Sequence, residues 1–173
     1  GVLYLNRFNE TVIRKTLREY DLKFTRLFMA KPHVFIGAAN PLASRSSITL
    51  SDLEPYPRLS YEQGEHNSFY FSEEILSTLD SRKDILVSDR ATLFNLLIGL
   101  NGYTICSGVI NEELNAIPLD VDDYMEIGYI THNRVTPGRF AGLYIEALKR
   151  RVGVPVPKVS TREPITRIPV SDR

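Results

Sequence analysis

The stretch from Asp84 to Ser107 carries the most restrictive pattern in the chain. A strand over Ile85–Val87 leads to a helix cap at Ser88 or Asp89, a helix over Arg90–Leu100, a stop at Asn101-Gly102 and a second strand over Tyr103–Cys106. Leu93, Phe94, Leu97 and Ile98 share one side of that helix, and Gly102 can take the left-handed conformation that ends it. Strand, helix and strand in that order make a βαβ unit, whose strands run parallel through a right-handed crossover. The expected class is therefore α/β.

The remainder of the chain fits that class. Val2–Leu5 suits a buried strand, and it begins with no polar lead-in, like the interior of a sheet entered midway. Val12, Ile13 and Leu17 occupy one helical face within Asn6–Tyr20. Leu22, Phe24, Leu27 and Met29 lead into Lys31-Pro32, then a strand over His33–Ala38. Pro32 has no N–H to give and restricts Lys31 to extended geometry, which suits a crossover between two layers. Thr49 and Asp52 have capping-box spacing. Arg58–Tyr61 reads as a strand, the polar run from Glu62 to Asn67 as a connection, and the segment after it as a helix burying Phe71, Ile75, Leu76 and Leu79.

Beyond Ser107 the pattern predicts a short helix at Asn111–Asn115 and strands at Ala116–Leu119 and Tyr124–Thr131. Thr136 and Pro137 then suit the cap and first turn of a helix whose apolar stripe is Phe140, Leu143, Tyr144, Ala147 and Leu148. Lys149, Arg150 and Arg151 complement the dipole at its end, in preference to forming a DNA-binding patch. Residues 152–173 form a proline-rich tail, extended whether free or docked.

Charge and composition narrow the function classes. The 21 basic residues balance the 21 acidic ones, so no global field draws the chain onto phosphate or anionic lipid. The single cysteine, Cys106, lies in an apolar run and fits a reducing cytoplasm. No apolar run approaches the roughly 20 residues of a spanning helix, and no signal-peptide pattern opens the sequence.

The order of motifs carries a family likeness. Asn40-Pro41-Leu42-Ala43, then Ile48 to Leu53 with its Thr-Leu-Ser-Asp run, then the strand ending at Tyr61, resembles the sensor domain of LysR-type transcriptional regulators. Val87 to Cys106 is similar to that family's helix and following strand, and Ala116–Leu119 with the closing strand and helix to its C-terminal end. Two positions depart from the pattern: Leu100-Asn101 replaces the first glycine of a Gly-x-Gly, and Ser107-Gly108 replaces a proline. The resemblance implies a type 2 periplasmic-binding-protein-like α/β fold, with two lobes joined by a two-strand hinge. Lobe II would be residues 32–106. Lobe I would be residues 1–31 and 107–151, incomplete because its opening strands and helices would precede Gly1.

On that likeness the whole protein would sense a small molecule between the lobes, a carboxylate or an amino-acid-like metabolite. DNA would be bound only through an N-terminal winged helix-turn-helix, the sensor would form a homodimer or tetramer, and no membrane would be involved. A solute-binding transport protein of the same fold is the alternative.

Ligands of open α/β sheets collect at the carboxyl ends of strands. This makes Tyr61, Glu62, Gln63, Gly64, Asn67, Ser88 and Ser107 the effector-binding candidates, with Asp89 on the same side and Ser107 and Gly108 near the hinge. An ordinary polar loop and helix cap would use the same residue types. Catalysis would need a nucleophile and a base, and only Cys106 with His33, His66 or His132 offers a thiol pair; the thiol is expected to pack as a small hydrophobe, so no enzyme is expected. The histidines share no metal-ligand spacing, and the acidic pairs Glu73-Glu74, Glu112-Glu113 and Asp122-Asp123 are expected to face solvent. No cofactor or metal is implied.

Overall fold

The computed structural model describes residues 1–62, 68–72, 74–107 and 115–153. The chain opens with β1 (Val2–Leu5), α1 (Glu10–Glu19) and β2 (Leu22–Ala30), and crosses at Lys31-Pro32 into β3 (His33–Ile36). A single turn, α2 (Leu50–Leu53), precedes β4 (Arg58–Tyr61). After a 3-10 turn at Phe69–Phe71 come β5 (Asp84–Val87), α3 (Arg90–Gly99), β6 (Tyr103–Cys106) and β7 (Asn115–Pro118). The described chain closes with β8 (Met125–His132) and α4 (Arg139–Arg151).

These strands form two sheets. The first has the order β1-β8-β2 and the second β5-β4-β6-β3-β7. In the first, β8 pairs antiparallel with both neighbours, from Val2↔Tyr129 on one side and Leu22↔His132 on the other. Register with β2 shifts between Arg26 and Phe28, so Leu27 is an extra residue, and it turns into the interior. Gly128 sits opposite this region, where a Cβ would overlap the Phe24 ring and the Thr25 carbonyl. Ile13 and Leu17 of α1 pack with Leu5 to cover one face of this sheet.

The second sheet is mixed. Strands β5, β4 and β6 are parallel, while β3 runs antiparallel to β6 and β7. The βαβ unit is present, but β4 lies between its two strands. Alternation along β3 feeds two cores: Val34 and Ile36 join Ile48, Leu53, Ile105 and Ile117, whereas Phe35 joins Leu59, Val87, Leu93 and Leu97. Each such aliphatic side chain contributes about 1.5–3 kcal/mol on burial.

Four local features refine or correct the sequence reading. The sequence division gave residues 107–151 to lobe I with residues 1–31, and β7, inside that span, pairs with β3 of the second sheet. An antiparallel partner for β3 is supplied on that edge, and the return crossing to the first sheet follows β7: Leu119 N donates to Pro32 O at 3.0 Å, so the two crossing segments run side by side. The helix expected to bury Phe71, Ile75, Leu76 and Leu79 is a 3-10 turn followed by turns, with Ile75 buried but Phe71 and Leu79 exposed. Leu76 has φ 60°, outside helical space, and Arg58 Nη1 donates to the carbonyls of Leu76 (3.1 Å) and Leu79 (3.3 Å). Those bonds replace helical partners.

At the end of α3 the left-handed residue is Asn101, φ 50°, and not Gly102. Gly102 serves close approach instead, since a Cβ there would lie 3.0 Å from Pro57 O. Finally, α4 begins at Arg139 with Gly138 as its N-cap, two residues beyond Thr136, and no side chain caps it. The predicted helix at Asn111–Asn115 lies outside the described residues except for Asn115, which is in β7.

Candidate functional site

A cleft of about 600 Å³ lies between the sheets. One wall comes from β1, α1 and β8, through Tyr4, Asn9, Ile13, Met125 and Ile127. The facing wall comes from the second sheet and α3, with Tyr61 at the end of β4, Thr104 to Ser107 at the end of β6, and Arg90, Leu93 and Phe94. Tyr70, Phe71, Ser72, Glu74 and Ile75 complete it. The cleft therefore opens at the carboxyl ends of the parallel strands β4 and β6, where helix and loop starts gather polar groups over an open sheet.

The polar groups have distinct tasks. Buried Asn6 and Asn9 lock the turn between β1 and α1: each side-chain oxygen accepts the other's backbone N–H, at 2.8 and 2.9 Å, and Asn9 Nδ2 donates to Tyr4 O at 3.2 Å. This fixes the exit of β1 beside the cleft. Asp89 caps α3 by accepting from Thr92 N at 2.9 Å and Thr92 Oγ1 at 2.6 Å, bonds that hold its carboxyl below the usual aspartate range. The Thr92 amide at that helix start is thus already served by a carboxylate.

Glu74 is the centre of the cleft's electrostatics. Its residue is 8% exposed, and Oε1 accepts from Tyr61 N at 3.3 Å and from Thr104 Oγ1 at 3.4 Å. Burial raises its carboxyl above the ordinary glutamate range, opposed by the nearby Arg58 cation and the bonds from Tyr61, Ser60 and Thr104. Tyr4 reaches across from the first sheet to donate to Glu74 O at 3.1 Å. Burial, and then the Glu74 charge, push its hydroxyl up to about 12, so it stays a donor at neutral pH. A second contact spans the gap: Phe8, between β1 and α1, stacks on Tyr70 with ring centroids 4.8 Å apart and planes 19° off parallel.

Of the residues expected from sequence, Tyr61 and Ser107 line the cleft. Glu62 is exposed and outside the lining, its N–H donating to Val87 O at 2.9 Å. Ser88 is exposed and also outside it. Gln63, Gly64 and Asn67 fall outside the described residues. Glu74 was expected to face solvent with its neighbour and is instead buried. The signal was present in β4, where Arg58 and Ser60, polar residues in an interior strand, require partners of opposite character. Cys106 is half-buried and its Sγ lies 3.6 Å from His33 O. Among the described residues no cluster of His, Cys, Asp or Glu could hold a metal ion, and no helix is long and apolar enough to cross a membrane.

No family model matches the sequence, and no curated protein sequence matches it. Solved structures do match. HinK, a LysR family transcriptional regulator from Pseudomonas aeruginosa, aligns with a TM-score of 0.56 at 13% identity, covering 76% of this chain and 49% of that one. The C-terminal domain of a probable LysR family regulator from Rhodococcus sp. RHA1 gives 0.55 at 13% identity, covering 86% and 73%. The effector binding domain of a BenM variant gives 0.55 at 18% identity, covering 84% and 79%. The fold is that of LysR effector-binding domains. It is a type 2 periplasmic-binding-protein-like α/β architecture. Against HinK, the chain spans about half the length of the regulator. In this LysR-like fold the cleft between the sheets is the feature that positions chemistry.

Proposed function

We propose that this chain is the effector-sensing part of a LysR-type transcription regulator, taking a small molecule in the cleft between its two sheets. The observation that carries the reading is the cleft itself: an apolar and aromatic cavity with a few convergent polar groups, at the carboxyl ends of β4 and β6. The likeness in fold to regulator domains supports it.

Lobe I is then the first sheet with α1 and α4, lobe II the second sheet with α3, and ligand binding biases their closure. A ligand shifts that equilibrium only by its difference in affinity for the two states, and carrying it from 1:99 to 99:1 needs about 5.5 kcal/mol. DNA is contacted by a separate N-terminal winged helix-turn-helix in the full regulator, which works in the cytoplasm as a homodimer or tetramer. No catalytic step is part of this role.

The test is a thermal-shift screen of a metabolite panel, followed by calorimetry. A binder is expected to raise Tm, and Ser107→Trp, which fills the cleft, is expected to abolish the effect. The isolated chain is expected to show less than about tenfold preference for promoter over random DNA. A panel without any binder, or a stronger DNA preference, would overturn the reading.

A further inference from the structure

The cleft has an asymmetric charge inventory. Among the described residues lining it, Glu74 is the one acid and Arg90 the one base. They differ in setting: Glu74 is buried, whereas Arg90 is exposed at the start of α3. Resting on the reading of the cleft as an effector site, we propose that its ligand is a flat apolar body bearing a protonated nitrogen, an aryl-alkyl amine in chemical class. The cation is held against Glu74.

The carboxylate has acceptor capacity to spare. Its donors from Tyr61 and Thr104 sit at 3.3 and 3.4 Å, and Ser60 is a third neutral partner. A charge-assisted N–H to carboxylate bond closes to about 2.7–2.9 Å and is roughly twice as strong as a neutral one. The nearest cation does not take that place. Arg58 Nη1 is directed at the carbonyls of Leu76 and Leu79, and among the described residues no ion pair to Glu74 forms. An ammonium entering the cleft would add a direct ion pair to the longer-range field of Arg58 and recover part of the cost of keeping a carboxylate out of water.

The walls suit the rest of such a molecule. Tyr61, Tyr70 and Phe94 line the cleft with ring surface, which packs a flat apolar body and attracts a cation through its π faces. A carboxylate ligand meets the opposite conditions. It would face Glu74 as a like charge, and at the start of α3 the Asp89 carboxylate already takes the Thr92 amide and puts a second negative charge there. Arg90 is the one cation among the described lining residues, and it is exposed, where an ion pair contributes little.

The experiment is calorimetry at pH 8 with matched probes of opposite charge: phenethylamine, tyramine and tryptamine against 3-phenylpropionate, its 4-hydroxy analogue and indole-3-propionate. At least one amine is expected to bind roughly tenfold or more tightly than its carboxylate counterpart. Glu74→Gln is expected to weaken that amine by roughly tenfold while its unliganded Tm is no lower than that of the parent chain. Phe94→Ala, which removes wall and leaves the charge, is expected to weaken amine and carboxylate probes alike. Carboxylates binding as well as amines, an amine indifferent to Glu74→Gln, or no amine binding at all would each overturn the proposal. If a carboxylate or neutral metabolite binds and Ser107→Trp abolishes it, the effector-site reading stands and the ligand class falls. If nothing in either panel binds, both fall.

Discussion

Helices α3 and α4 start from similar material and reach opposite ends. Each carries apolar residues at helical spacing, yet α3 buries Leu93 and Leu97 against Phe35, Leu59 and Val87, while α4 has no fully buried residue and Ile145 and Leu148 are only half-buried. Phe140, Leu143 and Tyr144 of α4 are 82%, 48% and 59% exposed. The starts differ as well, with the Asp89 carboxylate capping α3 and Gly138 giving α4 no side-chain cap. Periodicity announces a face that can be buried; only a partner surface turns that face into stability.

The contrast can be broken by substitution. Leu97→Ala should have the largest effect, about 2–5 kcal/mol of lost stability, since it leaves a cavity between α3 and the second sheet. Urea denaturation would measure it. In the first sheet, Gly128→Ala should follow at about 1–3 kcal/mol, because the added methyl must displace Phe24 or the Thr25 carbonyl from the β2–β8 ladder. A neutral result in the same assay would show that this sheet yields more easily than its packing implies.

Between the sheets, Glu74→Gln should raise Tm at pH 8. The sign follows from burial lifting the folded-state value above the unfolded one: the folded chain then binds the extra proton, and stability falls as pH rises through that window. The advantage of the glutamine should shrink as pH is lowered toward the ordinary glutamate value, and Tm against pH for the two proteins would show the curves converging. Smallest of all is Leu143→Ala, within about 0.5 kcal/mol, because an exposed side chain has little to lose. A loss matching that of Leu97→Ala would mean that α4 is covered in solution and the comparison is misdrawn.

Local chemistry explains which parts of this structure are legible in sequence. The capping box shows the expected bonds, with Thr49 N donating to Asp52 Oδ2 at 2.9 Å and Asp52 N to Thr49 Oγ1 at 3.3 Å, because both partners lie within one turn. Ile13 and Leu17 are readable for the same reason. Strand order is not local: nothing in Asn115–Pro118 says that its partner is β3 of the second sheet. The segment around Leu76 misleads because Arg58, far back in sequence, draws its carbonyls into turns. At the cleft, Tyr61 and Ser107 follow from strand ends alone. Glu74 could not be placed that way, since its burial depends on β4, β6 and Tyr4 converging on it.

The bond from Leu119 N to Pro32 O also constrains how the molecule can move. Leu119 is held further where the next residue, Asp120, donates to Ile48 O at 2.8 Å. In the closure proposed above, two straps pinned at mid-span would resist sliding lengthwise past each other and leave the sheets to swing as a book does on its spine. Work done by a ligand held at Glu74, as proposed, would then go into changing the angle between the covers and not into sideways play.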